Sequence, residues 1–494
     1  MNKFALFVAS LLVSVSSFAQ WSKPAAPAVA PLAVGEELYL YNKDAGAFFV
    51  GANDWGTRAS VSETAGHKVI LVQSEEDANS YLITNAAEAS TTFLPMYIKG
   101  DGIWVDESGN NVGDDLFTFE ALGGNTYKIG FSALNTTYNP TDYPDAYLGL
   151  IPSKNDTRIY MCDPENSEGY TMAECQLTWY FVTAAEYTTR IVAMAQYNAA
   201  VALGESIEKA EKQGNVNADV LKAAKEAYAN TSSTAAAMEQ LKKSLDIAIF
   251  HAQLDIATVE NPVEVLAPLG IATDFNDSDF TGWTSTTGAT NKQASNGNNA
   301  KDYEVTGNHY ENWNWDAFAI GKVTATATDL PTGVYHLNAL AFANVTGGTY
   351  LYAGENQTLV TATQIDIEQP TDVYAIVADG KLEIGLDVQV KGPNWIGLDN
   401  VHLYYLNASY DAYKAMKDAT IAAEPDYESQ LKGAEIACQK SVYEAYKAAI
   451  AGLNDIQATG QTFPVEEAKE KFAAFNAAAK TMASSVAAYA VYLD

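Results

Sequence analysis

The spacing of apolar residues changes period three times along this chain, and that constrains its architecture more than any single motif. Up to Phe181-Val182, apolar and polar residues alternate in short runs broken by Gly, Asn and Asp. At Thr183 the period lengthens, and Met238, Leu241, Leu245, Ala248 and Ala252 recur at helical spacing. From Asn261-Pro262 the period returns to two, in runs such as FTGWTST, GVYHLNALAFANV, KLEIGLDVQV and GLDNVHLYYL. After Tyr405 the chain is Ala-rich and helical in pattern to its end. Long blocks of one period argue for separate β and helical domains rather than interleaved βαβ units. The 494 residues leave room for roughly three or four of them.

Within 36–183 the alternation has a threefold rhythm. The hairpin-like openings LYLYNKDAGAFFVGA, MYIKGDGIWVDESGN and AYLGLIPSKNDTRIYM each precede an apolar strand, KVILV, DLFTFEAL or LTWYFV. The first two units then add SYLITN and TYKIGF. Such repetition predicts an all-β domain with internal symmetry. These residues resemble the ricin-type β-trefoil, a threefold sugar-binding domain. The family's Gln-x-Trp mark is missing from the first two repeats, and Gln176-Leu-Thr-Trp179 is one residue too long. The family's sugar-binding aspartates are therefore not carried over. NDWGTRASV (Asn53–Val61) also looks like the opening of trefoil-like modules in secreted proteins of gut-type Gram-negative bacteria, which implies fold more than ligand.

Thr183-Ala-Ala-Glu186 reads as a capping box that opens a helix running to Lys212, before Gly214. Further helices near 217–229 and 233–257 complete an antiparallel bundle over 184–260. A second bundle, 408–494, is expected from helices near 409–421, 425–453 and 464–492. Pro464 opens the last, with Glu466 and Glu467 in its first turn, where the helix dipole favours acids. Cys438 falls inside the middle helix and reads as a buried thiol.

Residues 261–407 predict a β-sandwich. TDFNDSDFTGWTSTTG, YENWN, LPTGVYHLNALAF and WIGLDNVHLYYL follow one another in an order that resembles carbohydrate-binding jelly rolls of the galactose-binding-like class. A sugar ring stacks its C–H face on indole or phenol, and its hydroxyls take amide or carboxylate partners. Gly307–Phe318 (GNHYENWNWDAF) holds both kinds, and Asn394-Trp395 repeats the combination. The ligand candidates are Trp315 and Trp395, with Trp313, Asn394 and Glu311; Trp313 also fits the family's fold pattern. Alternation puts Trp313 and Trp315 on one face, with Phe318 and Ile320 facing the core. The resemblance also implies a structural calcium between the first and last strands, with Asp274 and Asp399 in those places.

The first residues, MNKFALFVASLLVSVSSFAQ, have the form of a signal peptide, 1–19, cleaved after Ala19. Gln20 stands where a lipid-anchored form would need Cys, and the Pro/Ala-rich 20–35 reads as an extended linker. No later stretch is apolar enough to span a bilayer. The expectation is an exported protein, periplasmic or at the cell surface. A net charge of −32 makes nucleic acid and anionic lipid poor partners. None of the five histidines stands in zinc spacing, and no nucleophile elbow, P-loop or dinucleotide fingerprint occurs. Cys162 and Cys175 are close enough in sequence to close a small loop where the compartment is oxidising. These readings converge on a non-catalytic protein whose partners are polysaccharide or glycoprotein glycans. The alternatives are a structural or adhesive surface protein with helical spacers, or an accessory part of a glycoside hydrolase system.

Overall fold

A computed structural model describes residues 21–51, 58–87, 89–105, 114–165, 169–275, 279–288, 291–295, 309–345, 347–363 and 369–490. The signal-like 1–19 and most of the Asn53–Val61 motif lie outside the described residues. The chain divides into two compact units, Met1–Lys212 with Ala218–Asp246, and Gln213–Asn217 with Ile247–Asp494. Each joins β structure to helices.

The first unit has twelve strands among its described residues. They are β1 (Leu38–Asn42), β2 (Ala47–Val50), β3 (Ser60–Ser62), β4 (Lys68–Gln73), β5 (Tyr81–Ala86) and β6 (Leu94–Lys99). The rest are β7 (Gly102–Val105), β8 (Leu116–Gly123), β9 (Thr126–Phe131), β10 (Tyr147–Gly149), β11 (Tyr160–Cys162) and β12 (Trp179–Val182). Six of them, β1, β4, β5, β8, β9 and β12, pair antiparallel in a closed ring. The others form three hairpins, β2–β3, β6–β7 and β10–β11. The three apolar runs of the sequence repeats become β4, β8 and β12. Alternation decides their packing: Leu38 and Leu40 of β1 enter the central core with Ile83, Ile129 and Phe181. Tyr39 and Tyr41 point the other way and pack with Tyr180 and Tyr187.

Residues 21–34 lie outside the helices and strands, but they are no free tether. Trp21 Nε1 donates to Tyr228 O at 2.8 Å, Tyr180 Oη donates to Pro27 O at 3.0 Å, and Ala30 N donates to Phe181 O at 2.7 Å. Three helices follow the ring, α1 (Ala184–Gln213), α2 (Ala218–Ala229) and α3 (Ala235–Leu254). Thr183 Oγ1 accepts from Glu186 N at 3.3 Å, the first half of the expected capping box. The Glu186 carboxylate accepts from Ala28 N at 3.4 Å, so it is engaged with the docked N-terminal segment.

The second unit contains β13 (Val263–Glu264), β14 (Trp283–Ser285), β15 (Asn291–Ser295), β16 (His309–Trp313), β17 (Gly321–Thr328) and β18 (Gly333–Ala343). It continues with β19 (Thr349–Ala353), β20 (Asn356–Leu359), β21 (Gln369–Val377), β22 (Lys381–Val388) and β23 (Trp395–Asn407). One sheet has the order β15-β16-β23-β18-β21 with β13 on β23, and the other β14-β17-β22-β19-β20. Alternate residues such as Val323, Leu337, Leu351, Ile384 and Leu398 form the core of this β-sandwich.

Helices α4 (Tyr410–Ala423), α5 (Tyr427–Lys432), α6 (Lys440–Asn454) and α7 (Val465–Ala490) close the unit. The single helix expected over 425–453 is two, because Gly433 caps α5 and Ala434 adopts φ +54°. Cys438 therefore lies in the break and is half-buried rather than deep inside a helix. Val334, Ile376 and Leu406 of the sandwich share a buried cluster with Tyr413, Met416 and Phe472 of the helices.

Candidate functional site

The face of the first sheet turned away from the sandwich core carries the aromatic residues. Tyr310 is fully buried against Phe275, Phe280 and Trp283, which fixes the even positions of β16 as inward. His309, Glu311 and Trp313 therefore point outward. Register sets Trp313 directly opposite Trp395, and Glu311 opposite Gly397. A Cβ at Gly397 would lie 2.0 Å from Phe342 Cε1, so only glycine lets that ring lie across β23. Trp395 then leans edge-on against Phe342, with ring centroids 4.9 Å apart at 78°.

The Trp395 indole Nε1 donates to Glu311 Oε2 at 3.1 Å, and the same oxygen lies 3.3 Å from His309 Nε2. Glu311 is 5% exposed, so its carboxylate is engaged in orienting Trp395 rather than presented at a rim. Asn394 is similarly engaged. Its Nδ2 donates to Asn314 O at 3.0 Å, its N–H donates to Asn344 Oδ1 at 3.1 Å, and its Oδ1 accepts from Asn344 Nδ2 at 2.5 Å. Asn394 O also accepts from Asn314 N at 2.9 Å, which ties the 314–316 turn to the neighbouring strand. Trp315 stands on that turn, 86% exposed, its ring edge-to-face with half-buried Trp313 at 5.2 Å and 86°. Ile320, expected in the core with Phe318, is 65% exposed, whereas Phe318 is buried. Strand β16 ends at Trp313, and residues 314–320 are not strand, so alternation does not carry through to Ile320.

Farther along the same face lies a group that the sequence reading missed. His336 stands opposite Tyr374 on β21 and Tyr404 on β23, and Asn338 opposite Asp372 and His402. The His336 and Tyr374 rings stack at 4.4 Å and 10°. Asp372 Oδ1 lies 2.6 Å from His336 Nε2 and accepts from Asn338 Nδ2 at 2.8 Å. The signal was present in the alternating His-Leu-Asn and His-Leu-Tyr of two strands. The pairing that joins them is not local in sequence.

No family model matches the chain, and no curated protein matches it. The partial likenesses include carbohydrate-binding modules. TmCBM61 in complex with beta-1,4-galactotriose is 17% identical, over 26% of this chain and 93% of that one, with a TM-score of 0.23. The CBM22-1 xylan-binding domain from Paenibacillus barcinonensis Xyn10C is 12% identical, over 28% and 94%, with a TM-score of 0.21. The cytolethal distending toxin from Actinobacillus actinomycetemcomitans is 10% identical, over 32% and 94%, also with a TM-score of 0.21. Of larger glycoside hydrolases the chain covers about a third of the length.

The sequence expectation of a calcium between the first and last strands concerns Asp399 and Asp274. Asp399 is 1% exposed at a bulge of β23, where its Oδ1 accepts from Asn400 N at 2.8 Å. Its Oδ2 is buried and has no hydrogen-bond partner among the described residues. Burial pushes its carboxyl up to about 7; the Asn400 bond opposes this, and the nearby Asp274 carboxylate adds to it. A buried carboxylate oxygen beside a second acid suits a hard cation. Among the described residues, no group of three or more acid, His or Cys side chains gathers there.

Proposed function

We propose that this chain is an exported, non-catalytic carbohydrate-binding protein that takes glycans on the outer face of its β-sandwich. The exposure of Trp315 carries this reading. An indole left in water on a turn pinned by Asn394 is a preformed apolar platform, and sugar C–H faces stack on such rings. Trp313 and Trp395 extend the platform, and Glu311 holds Trp395 in place. The strong negative charge of the chain favours neutral over sulfated or uronic polysaccharide. We read the sandwich as a galactose-binding-like jelly roll and the first β domain as a ricin-like β-trefoil, which its closed six-strand ring and three hairpins support. The helices following each are read as bundles, with residues 1–19 as the export signal.

A glycan array probed with the full chain tests the ligand class. Trp315→Ala should weaken the best hit by about tenfold or more, with the melting temperature unchanged. Absence of binding to every sugar by the folded wild type, or hydrolysis of a polysaccharide, would overturn the reading. We also propose that Asp399 and Asp274 hold a structural calcium. Millimolar calcium should then raise the melting temperature of the wild type and leave that of Asp399→Asn unmoved.

A further inference from the structure

Cys162 and Cys175 meet on the first unit in an apolar cluster with Ile151, Tyr160, Leu177 and Met172. Cys162 ends β11 opposite Tyr147 of β10. Just past β10, Leu150 and Gln176 exchange backbone bonds of 3.3 and 3.0 Å, which brings residue 175 alongside. Gly149 leaves room between them: a Cβ there would lie 3.2 Å from Cys162 Sγ and 2.9 Å from Gln176 O. The two are free thiols close enough to influence each other's ionisation, and Cys175 Sγ donates to Thr171 O at 3.6 Å. The intervening segment is held at both ends, by Asp163 N donating to Tyr170 Oη at 3.1 Å and Thr171 N donating to Glu174 Oε2 at 2.8 Å.

We propose that Cys162 and Cys175 are a disulfide-forming pair, closed by exchange with an external disulfide such as oxidised glutathione. Their roles differ. Cys162 is fully buried, and burial holds its thiol far above the ordinary range. Cys175 is half-exposed; burial raises its thiol too, but the neighbouring Cys162 thiol opposes the rise. Cys175 is therefore the sulfur that attacks first, forming a mixed disulfide and releasing one external thiol. Cys162 then gives up its proton and attacks the Cys175 sulfur, displacing the second external thiol. Two protein thiols are oxidised, and one external disulfide is reduced to two thiols. The new bond would fix Asp163 and Tyr170, which line a hollow of about 410 Å³ with Asp101, Lys154 and Tyr160.

The test is to incubate the folded full chain with oxidised glutathione, then denature, alkylate and weigh it. One alkylated cysteine of the three, Cys438, is expected, in a chain lighter by two hydrogens that yields a Cys162–Cys175 cross-linked peptide. Cys162→Ser should stop at a stable glutathione adduct on Cys175, whereas Cys175→Ser should leave Cys162 unmodified while folded. Three alkylatable thiols in the wild type, a Cys175 adduct that never resolves, or an adduct on Cys162 in the folded Cys175→Ser chain would each overturn the proposal. The wild-type mass decides the pairing even where a variant does not fold.

Discussion

Glu311 shows how a residue chosen as a ligand partner can belong to the scaffold instead. Its carboxylate serves both the Trp395 indole and the His309 ring from a nearly dry position. Glu311→Ala should leave those donors unpaired and cost roughly 1–3 kcal/mol, read as a lower midpoint in urea. It should also weaken glycan binding, because Trp395 loses the bond that sets its angle. Trp315→Ala differs in moving affinity alone. Residue types were enough to single out the tryptophans, since two indoles one residue apart among amides are conspicuous in any sequence. Burial was not legible, because whether a carboxylate faces water or an indole depends on a partner more than eighty positions away.

Strands and helices were the most legible level. Alternation located strands such as β4, β8, β18, β22 and β23, though not the edge strands β15 and β20, and 3/4 periodicity located the helices, because each pattern follows from backbone geometry alone. Errors fell where an element stops. Gly433 splits one expected helix, and the strand that ends at Trp313 does not carry its alternation to Ile320, which is exposed. The His336 group was hidden because β18, β21 and β23 meet only through register. Its chemistry can be tested by pH. The His336 hydrogen bond acidifies the Asp372 carboxyl, with burial opposing and Asn338 assisting. A carboxyl acidified by folding contributes stability above its unfolded value, about 3.9, and loses it as pH falls through the lower folded value. Asp372→Asn should therefore lower the melting temperature at pH 7 and have little effect near pH 2. With the Asp372 side chain 50% exposed, the loss should stay below about 1 kcal/mol.

At the scale of the molecule, the change of period marked where β structure gives way to helix, but not that each β module shares its compact unit with helices. In the second unit the closing helices cover Val334, Ile376 and Leu406. Ending the chain at residue 407 should expose that apolar surface, and the fragment should aggregate where one extending through Ala490 remains monodisperse in light scattering. Binding measurements on the sandwich therefore need its helices in place. Trp315, finally, supplies the molecule with its own optical probe. Among the described tryptophans it alone is exposed. A collisional quencher should reach its fluorescence first, and a bound sugar should shield it. The quencher should be neutral acrylamide, because iodide is repelled by a chain of charge −32.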